Sequence, residues 1–456
     1  MAQLIVANVV ALSSRLLGPH TPNLNRLIAS TGQRLIKPVA PALTCSTQAT
    51  YLTGKTPQHH GIVGNGWYFH DTAEIRFWLQ HDKLVQSPRI WDIAKANGTP
   101  FRVANICWWY AMHAGCDITV TPRPMYPADG RKLPDCWTHP AALRDTLQAE
   151  LGQFPLFKFW GPMTSIESTR WIVDATRHVL TRTDSDPDLT LVYLPHLDYD
   201  LQRFGPDHEQ SRRAASEVDH EVGRLDQLAK QTNRKLVLLS EYGITPVDHV
   251  THPNRILRQH GLLSIRIERG LEQLDAGASD AFAVADHQVA HVYVKDKPRV
   301  EEIAGLFETQ GVDQILIGPN RNAVGLDHPR AGDIVLLAKP SSWFGYYFWL
   351  DDAKAPDYAR TVDIHRKPGY DPCELFLDPT IRWPKLKVAR KLLARKLGFR
   401  NLLDVTPLDA TLVRGSHGVT PHHTDDWPLL IGMGQSPTLQ PTDICGLLLT
   451  ELTNTG

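Results

Sequence analysis

The side chains with the clearest potential for chemistry lie in residues 41–65, where Thr44, Ser46 and Thr47 form a hydroxyl-rich turn. This turn leads into a predicted short helix that Gly54 can cap. Because the first N–H groups of a helix are free and its dipole is positive at that end, such a turn favours a bound anion. A threonine there can act as a nucleophile only if a base or a metal ion lowers the pKa of its hydroxyl. The alternative interpretation is that Thr44 merely caps the helix.

The order of residues in this segment resembles the nucleophile segment of the alkaline phosphatase superfamily, in its type I phosphodiesterase/nucleotide pyrophosphatase branch. The matching residues are Thr44, Thr53-Gly54, Pro57, His60-Gly61-Ile62 and Asn65. The resemblance implies that Thr44 attacks phosphorus, that Asn65 holds a non-bridging phosphate oxygen, and that two metal sites complete the chemistry. Within the superfamily, the chain resembles alkaline-phosphatase-like proteins of bacterial gene clusters for an uncharacterised metabolite, which implies a biosynthetic setting.

One of the implied metal sites is partly retained. After a predicted strand, residues 195–206 (PHLDYDLQRFGP) are similar to the family's Asp…His…Gly-Pro motif, with Asp198 in place and Gln202 at the histidine position. Glutamine offers a neutral amide oxygen, which is a weaker zinc ligand than imidazole. Near the C-terminus, GSHG resembles the family's Gly-Thr-His-Gly, which implies a ligand role for His417. Asp198, Gln202 and His417 are therefore candidate ligands of one divalent ion, with zinc the first choice.

The second implied metal site, which would contact Thr44, is more strongly altered. After the next predicted strand, SEYG stands where the family has Ser-Asp-His-Gly, so Glu241 and Tyr242 replace two ligands. Glutamate can still bind a metal, whereas tyrosine, with an ordinary pKa of about 10, is a rare zinc ligand. The family's first-strand aspartate corresponds to Val10, which cannot coordinate. With these replacements we predict at most one metal ion, held by Asp198, Gln202 and His417 and assisted by Glu241.

Other polar groupings offer alternative ligands or substrate contacts. Asp286, His287 and His291 include a His-x3-His spacing that would place both rings on one helical face, but the segment runs into a strand-like sequence. A further grouping consists of His422, His423, Asp425 and Asp426. With 21 histidines in the chain, such groupings arise by chance. Arg366 and Lys367 are better candidates for a different role, and we predict that they bind an anionic group of the substrate.

Strand-like and helix-like segments alternate along much of the chain. Extended runs at 4–12, 101–107, 189–194 and 235–239 are interleaved with helical runs at 21–31, 88–97, 166–181 and 210–231. This alternation predicts an α/β fold with a doubly wound, largely parallel central sheet. The resemblance makes that fold alkaline-phosphatase-like. Because ligands of such sheets sit beyond the carboxyl ends of the strands, we expect the motifs that follow the strands to meet at one edge.

One part of the chain does not follow this alternation of strands and helices. Residues 270–377 carry their own strand and helix signals, and the family often places a small cap domain in this part of the chain. We therefore predict a smaller α+β cap insert at 270–377, with residues 1–269 and 378–456 forming the alkaline-phosphatase-like core.

Length and charge narrow the function classes. With 456 residues the chain can bury a large core, and a formal net charge of −1 gives no global attraction for nucleic acid. The apolar N-terminus lacks a basic leader and is predicted to be a buried strand, and no apolar run reaches the length that spans a bilayer. The six cysteines form no CxxC pair. A reducing, cytoplasmic location is the simplest interpretation.

Residues 381–402 contain eight Lys/Arg and no acidic residue, and their apolar side chains fall near helical spacing. This pattern predicts a basic amphipathic helix. The plain interpretation is a solvated helix whose cations pair with acids elsewhere. The alternative is peripheral contact with an anionic membrane, on its inner surface, or with an acidic partner there.

Two functional hypotheses follow. In the first, the chain is a phosphoester hydrolase-like protein that uses Thr44 on an unknown phosphorylated small molecule, with an altered site of at most one metal. In the second, it is a catalytically silent relative that serves as a binding or scaffold protein in a biosynthetic pathway. Retention of Thr44 and Asn65 favours the first. The replacements at Val10, Gln202 and Tyr242 favour the second.

Overall fold

The computed structural model describes residues 2–96, 98, 100–181, 186–309 and 311–453. Its strands are, in chain order, β1 Leu4–Val9, β2 Gln33–Leu35, β3 Gly66–Phe69, β4 Glu74–Phe77, β5 Val103–Ile106, β6 Ile118–Pro122, β7 Cys136–His139, β8 Leu189–Leu194, β9 Lys235–Leu239, β10 Thr245–Pro246, β11 His249–Thr251, β12 Ile265–Glu268, β13 Leu271–Leu274, β14 Ala281–Asp286, β15 Val289–Val294, β16 Val312–Ile317, β17 Ile334–Ala338, β18 Ser342–Phe344, β19 Gly415–Ser416 and β20 Leu429–Ile431.

The α-helices of the described ranges flank these strands. In chain order they are α1 Pro22–Thr31, α2 Thr44–Thr53, α3 Pro57–His60, α4 Ile90–Ala96, α5 Ala142–Leu151, α6 Leu156–Phe159, α7 Glu167–Thr181, α8 His196–Phe204, α9 Glu209–Gln231, α10 Pro253–Gln259, α11 Val300–Gly305, α12 Asn320–Ala323, α13 Pro384–Lys396 and α14 Asp443–Thr453.

An eight-stranded sheet forms the centre of the chain, with strand order β2-β20-β9-β1-β8-β5-β6-β7. The five strands from β9 to β6 run parallel, and the outer strands pair antiparallel. Strands β1 and β8 lie in its middle, and every residue of both is buried. Such strands are covered on both faces and therefore read as continuous apolar runs. The predicted largely parallel sheet is confirmed.

Two groups of helices pack around this sheet. Helix α9 contacts α1, α7 and α8, while α14 contacts α2 and α4. The long helix α9 has an apolar face of buried residues that includes Val218, Val222 and Leu225. These residues recur at spacings of three and four, which is the period of one helical face. The helices hold the carboxyl ends of β1, β8 and β9 in fixed positions, and the candidate site lies at those ends.

A second, antiparallel sheet with order β14-β15-β17-β16 lies within residues 270–377. The predicted start of the insert at 270 falls in the turn of the β12–β13 hairpin, whose strands pair from Ile265 to Leu274. Val247 and Val413, from outside the predicted insert, share a hydrophobic core with this sheet. The α+β character of the segment is therefore clear, while its boundaries stay a prediction.

The basic segment forms helix α13, which is shorter than the pattern predicted. Trp383 precedes it and Leu397 follows it, and none of its thirteen residues is buried. Among the residues that the structure describes, no helix is both long enough and apolar enough to cross a bilayer.

Candidate functional site

The predicted site residues lie just beyond strands of the central sheet. Asp198 is in the first turn of α8, directly after β8, and Glu241 and Tyr242 follow β9. Val10 follows β1, the strand that pairs with both β8 and β9. Since the carboxyl ends of neighbouring parallel strands share one edge, the topology brings these positions together. His417 reaches the same edge from the end of β19.

Thr44 is the first residue of α2, which ends at Thr53 and is capped by Gly54 in the left-handed conformation (φ 64°). Its hydroxyl lies 3.0 Å from the hydroxyl of Tyr242, which in turn donates to Asp198 Oδ1 at 3.3 Å. Because Tyr242 has only one proton to donate, Thr44 is the donor in the first of these bonds. Thr44 is 3% exposed. A buried chain of hydrogen bonds therefore joins Thr44 to Asp198 through Tyr242.

Four aromatic rings stack beside this chain. The rings of Tyr242 and His417 are nearly parallel, with centroids 3.5 Å apart and an interplanar angle of 6°. The ring centroids of His287 and His417 are 3.9 Å apart, and the ring centroids of Tyr370 and His287 are 3.6 Å apart. All four rings are buried. A column of rings thus fills the space next to Thr44 and Asp198.

Gln202 links Asp198 to Tyr370 through two hydrogen bonds. Gln202 donates from Nε2 to Asp198 Oδ2 at 2.7 Å and accepts at Oε1 from the Tyr370 hydroxyl at 3.0 Å. Burial raises the pKa of the Asp198 carboxyl to about 7, against hydrogen bonds from Tyr242 and Gln202 that favour its charged form. The amide oxygen of Gln202, which the sequence offered as a metal ligand, is already used by Tyr370.

His417 keeps part of its predicted ligand geometry. Its Nδ1 lies 2.8 Å from the carbonyl oxygen of Ala42, so Nδ1 is the protonated nitrogen. Its Nε2 lies 3.8 Å from Asp198 Oδ1 and has no hydrogen-bond partner among the described residues. Burial lowers the pKa of the His417 imidazole well below its ordinary value, and His287 acts in the same direction. Nε2 is therefore unprotonated, and its lone pair, which could bind a metal ion, faces a single carboxylate.

Glu241 is held by two amide side chains that sequence reasoning missed. Asn8 Nδ2 and Gln48 Nε2 both donate to Glu241 Oε1, each at 2.5 Å. Burial raises the pKa of Glu241 to about 8, although the hydrogen bonds from Gln48 and Asn8 oppose this shift. A polar Asn8 inside the apolar strand β1 was the signal in the sequence for this contact.

Asn65 is placed beside Thr44 but is engaged elsewhere. Its Oδ1 accepts from the backbone N–H of Cys45 at 3.0 Å, and its Nδ2 donates to Asp286 Oδ1 at 3.1 Å. The backbone N–H of Asn65 also donates to Asp286, at 2.8 Å. Burial raises the pKa of Asp286 to about 6. The role of Asn65 toward a phosphate oxygen stays a prediction, and Asp286 is its main partner in this structure.

The His-x3-His spacing does not lie on a helix. Asp286 ends β14, His287 is in the turn with φ 58°, and His291 is in β15. His291 is satisfied on both sides, by the Val63 carbonyl at 3.0 Å and by the Gly332 N–H at 3.2 Å. The segment is a β-hairpin, so its strand-like sequence indicated its structure and the His-x3-His spacing did not.

The remaining polar groupings lie outside the ring column. Lys367 is fully buried, with its Nζ 2.7 Å from both Asp371 and Glu374, and these carboxylates raise its pKa to about 12 despite the opposing effect of burial. Arg366 is exposed, 3.4 Å from Asp363. Substrate binding by Arg366 and Lys367 stays a prediction. In the other grouping, His422, His423 and Asp425 are exposed, and Asp426 pairs with Arg15.

The donor set does not fit the two zinc ions that the resemblance implies. Val10 is a buried apolar side chain, and Tyr242 spends its hydroxyl on Thr44 and Asp198. Catalytic zinc sites use three protein ligands, whereas only Asp198 and His417 face each other here. Within the described ranges, no three His, Cys, Asp or Glu side chains are arranged to hold a metal ion. Metal binding by Asp198, Gln202, His417 and Glu241 stays a prediction.

The doubly wound sheet, with these side chains at its carboxyl edge, defines an alkaline-phosphatase-like α/β protein. The sequence pattern described as "Type I phosphodiesterase / nucleotide pyrophosphatase" matches residues 4–371. The chain therefore belongs to this family, whose members are phosphoester hydrolase-like proteins.

Two curated relatives are similar to part of the chain, with about a quarter of the aligned residues identical. The human ectonucleotide pyrophosphatase/phosphodiesterase family member 7 is 23% identical over 242 residues, which cover 50% of this chain and 44% of the relative. An uncharacterized pyrophosphatase/phosphodiesterase of Schizosaccharomyces pombe is 25% identical over 244 residues, which cover 52% of this chain and 42% of the relative. The chain thus matches less than half the length of these relatives.

Solved structures resemble the chain over nearly its whole length. Murine ectonucleotide pyrophosphatase / phosphodiesterase 5, an inactive form in complex with AMP, has a TM-score of 0.60 at 15% identity, covering 100% of this chain and 96% of that one. Phosphonoacetate hydrolase from Sinorhizobium meliloti 1021, in complex with phosphonoformate, has a TM-score of 0.62 at 16% identity. The match covers 99% of this chain and 96% of the hydrolase chain. At these identities the likeness concerns the fold.

Proposed function

We propose that this chain is a catalytically silent member of its family, which serves as a binding or scaffold protein in a biosynthetic pathway and does not turn over phosphoesters. The observation that carries the proposal is the position of Tyr242. Its hydroxyl joins Thr44 to Asp198 and its ring stacks on His417 at 3.5 Å. Tyr242 stands where the family has a metal-binding histidine, and these contacts engage Thr44, Asp198 and His417 with one another, which supports the proposal.

The electrostatics of the site support the same conclusion. Phosphoryl transfer depends on cations that neutralise charge on the transferred group. Asp198, Glu241 and Asp286 are all buried, and no described Lys or Arg nitrogen lies within 4.0 Å of their oxygens. Burial raises the pKa of each of these carboxyl groups. Among the described residues, the protein therefore supplies no Lys or Arg beside these buried carboxyl groups to neutralise a bound phosphate.

One observation favours the second candidate, a hydrolase that uses Thr44. The hydrogen bonds from Thr44 to Tyr242 and from Tyr242 to Asp198 form a path for a proton. Asp198, with its pKa raised to about 7, could accept that proton at neutral pH. The substrate would then be a phosphorylated or phosphonylated small molecule, the class to which AMP and phosphonoformate in the structural relatives belong.

Turnover of bis(4-nitrophenyl) phosphate by wild type and by Thr44→Ala separates the two candidates. We expect both proteins to release nitrophenol at the rate of a buffer blank, with zinc, manganese, magnesium or cobalt supplied. Because Thr44→Ala removes one buried hydrogen bond, it should lower the free energy of unfolding by about 1 kcal/mol and leave the fold intact. Thr44→Ala, purified in parallel, controls for contaminating hydrolases. Metal-dependent or metal-independent turnover by wild type that Thr44→Ala abolishes would overturn the silent assignment.

A further inference from the structure

Helix α13 and the segment after it form a surface that the described part of the chain leaves open. None of the thirteen residues of α13 is buried. Residues 381–404 contain eight cations and one acid, Asp404, and so carry a net charge of +7. The cations are Arg382, Lys385, Lys387, Arg390, Lys391, Arg395, Lys396 and Arg400. We call residues 381–404 the basic hairpin.

One face of α13 is tied to the returning segment. Lys387 and Lys391 both pair with Asp404, and Arg395 donates to the carbonyl oxygen of Asn401 at 2.9 Å. These three cations are spaced by four residues and therefore share one face of the helix. Their contacts fix the helix on its own C-terminal loop. That face is thus the internal side of the basic hairpin.

The other side of α13 is apolar and open. Leu386, Leu393 and Leu397 recur at intervals of seven and four, so they form one row. They are 67%, 57% and 67% exposed, and Trp383 and Phe399 are exposed just beyond the two ends of the row. An uncovered apolar row of this size is unfavourable in water and marks a contact surface.

Cations without partners flank this row. Lys385, Arg390 and Lys396 have no ion pair or side-chain hydrogen bond with any residue that the structure describes. Arg390 lies between Leu386 and Leu393 in the same row, at spacings of four and three. Long cationic side chains at such positions can keep their charge at a lipid headgroup while their stems cover apolar surface.

A neighbouring loop extends the surface. Arg400 donates to the carbonyl oxygen of Ala128 at 3.2 Å, which places the basic hairpin against the loop between Met125 and Leu133. Met125 and Tyr126 of this loop are exposed. Exposed tyrosine and tryptophan side chains favour the boundary between headgroups and acyl chains. The basic hairpin, with Trp383 and Phe399, and the loop, with Tyr126, are in contact and therefore both expose aromatic side chains on this part of the surface.

We propose that the basic hairpin docks the protein on an anionic lipid bilayer. The partnerless cations match the charge of acidic headgroups, and the leucine row with Trp383 supplies the shallow apolar contact of an interfacial helix. A second copy of the chain is a poorer occupant, because each copy carries the same charge of +7 over this segment. This inference is independent of the proposed function, since the basic hairpin contains none of the site residues.

Flotation of the full chain with vesicles tests this docking. Wild type should bind vesicles that contain phosphatidylglycerol at low ionic strength, lose binding at high salt, and ignore pure phosphatidylcholine vesicles. The triple variant Lys385→Gln/Arg390→Gln/Lys396→Gln should bind about 100-fold more weakly, the effect expected for three cations near an anionic surface. It leaves the internal face of the hairpin intact, and an unchanged melting temperature checks this.

The matched control removes three exposed cations elsewhere, in Lys295→Gln/Lys339→Gln/Lys354→Gln, and should bind like wild type. Leu386→Ser/Leu393→Ser should also weaken binding, because it breaks the apolar row. Equal weakening by the control triple, equal binding to neutral vesicles, or no vesicle binding at all would overturn the proposal. So would a dimer that Leu386→Ser/Leu393→Ser dissociates in the absence of vesicle binding.

Discussion

Replacing Tyr242 by alanine is expected to lower the free energy of unfolding by about 3–5 kcal/mol, the cost of deleting a large buried aromatic ring. The ring packs against His417, and its hydroxyl is the hydrogen-bond partner of Thr44 and Asp198. Tyr242→Ala therefore creates a cavity and leaves buried polar groups unpaired. Equilibrium unfolding in urea, followed by circular dichroism, measures the loss.

Tyr242→Phe is the matched control, because it keeps the ring and removes only the hydroxyl. It should cost about 1–2 kcal/mol, since Asp198 then loses one of its donors. In a working active site, residues are often not optimised for stability, and their replacement is neutral or stabilising. A Tyr242→Ala protein as stable as wild type would show that the ring is not a packing element, which would weaken the silent assignment.

Replacing Lys367 by methionine is expected to destabilise the protein by a similar amount, about 3–5 kcal/mol. Lys367 is fully buried, and its ammonium lies 2.7 Å from both Asp371 and Glu374. Methionine keeps most of the side-chain volume but removes the charge, so two buried carboxylates lose their counter-ion. The shift of the urea midpoint reports the effect.

Arg366→Met is the control for this prediction, because Arg366 is exposed and its contact with Asp363 is a surface ion pair. Such pairs contribute about 0–1 kcal/mol, so this variant should unfold close to wild type. If Lys367 served a substrate instead of the fold, Lys367→Met would be as stable as Arg366→Met. That outcome would restore the predicted role of Lys367 as a ligand for an anion.

Much of the fold could be predicted from local patterns. Strands β8 and β9 have the predicted bounds, because continuous apolar runs are typical of buried parallel strands. Helix α2 ends at Thr53 with Gly54 as its C-cap, as predicted, because glycine tolerates the left-handed conformation at that position. Its start differs from the pattern: the N-cap is Leu43, so Thr44 lies in the first turn of the helix, and the alternative interpretation of Thr44 as a cap is wrong. The motifs after the strands meet at one edge because parallel strands align their carboxyl ends.

The content of the site could not be predicted in the same way. The chemistry of tyrosine indicates that Tyr242 is a poor metal ligand, but its ring stacks on His417 from near the C-terminus, and His417 in turn contacts His287. Nothing in the local sequence of these residues indicates that their rings stack with His417. Lys367 is a different case, because its counter-ions Asp371 and Glu374 lie only four and seven residues further along the chain. The sequence showed these acids nearby, but it did not show that all three side chains are buried.

More of the basic hairpin could be predicted from the sequence than of the site. Its helix and its charge were predictable from composition and spacing, and the structure adds which cations are internal. Lys387, Lys391 and Arg395 hold the hairpin together, whereas Lys385, Arg390 and Lys396 are open to a partner. A sequence pattern cannot make this distinction, because it depends on the fold of the returning segment around Asp404.

The metal content of the purified protein tests the central claim most directly. The chain should be produced in zinc-supplemented medium, purified without chelators and measured by inductively coupled plasma mass spectrometry. Because Val10 and Tyr242 replace ligands and Gln202 is bonded to Tyr370, we expect a content equal to the buffer blank. Val10→Asp/Gln202→His/Tyr242→His, which rebuilds the ligand types of the family, should raise the content and shows that the measurement can detect binding. One or two ions per wild-type chain would contradict the account.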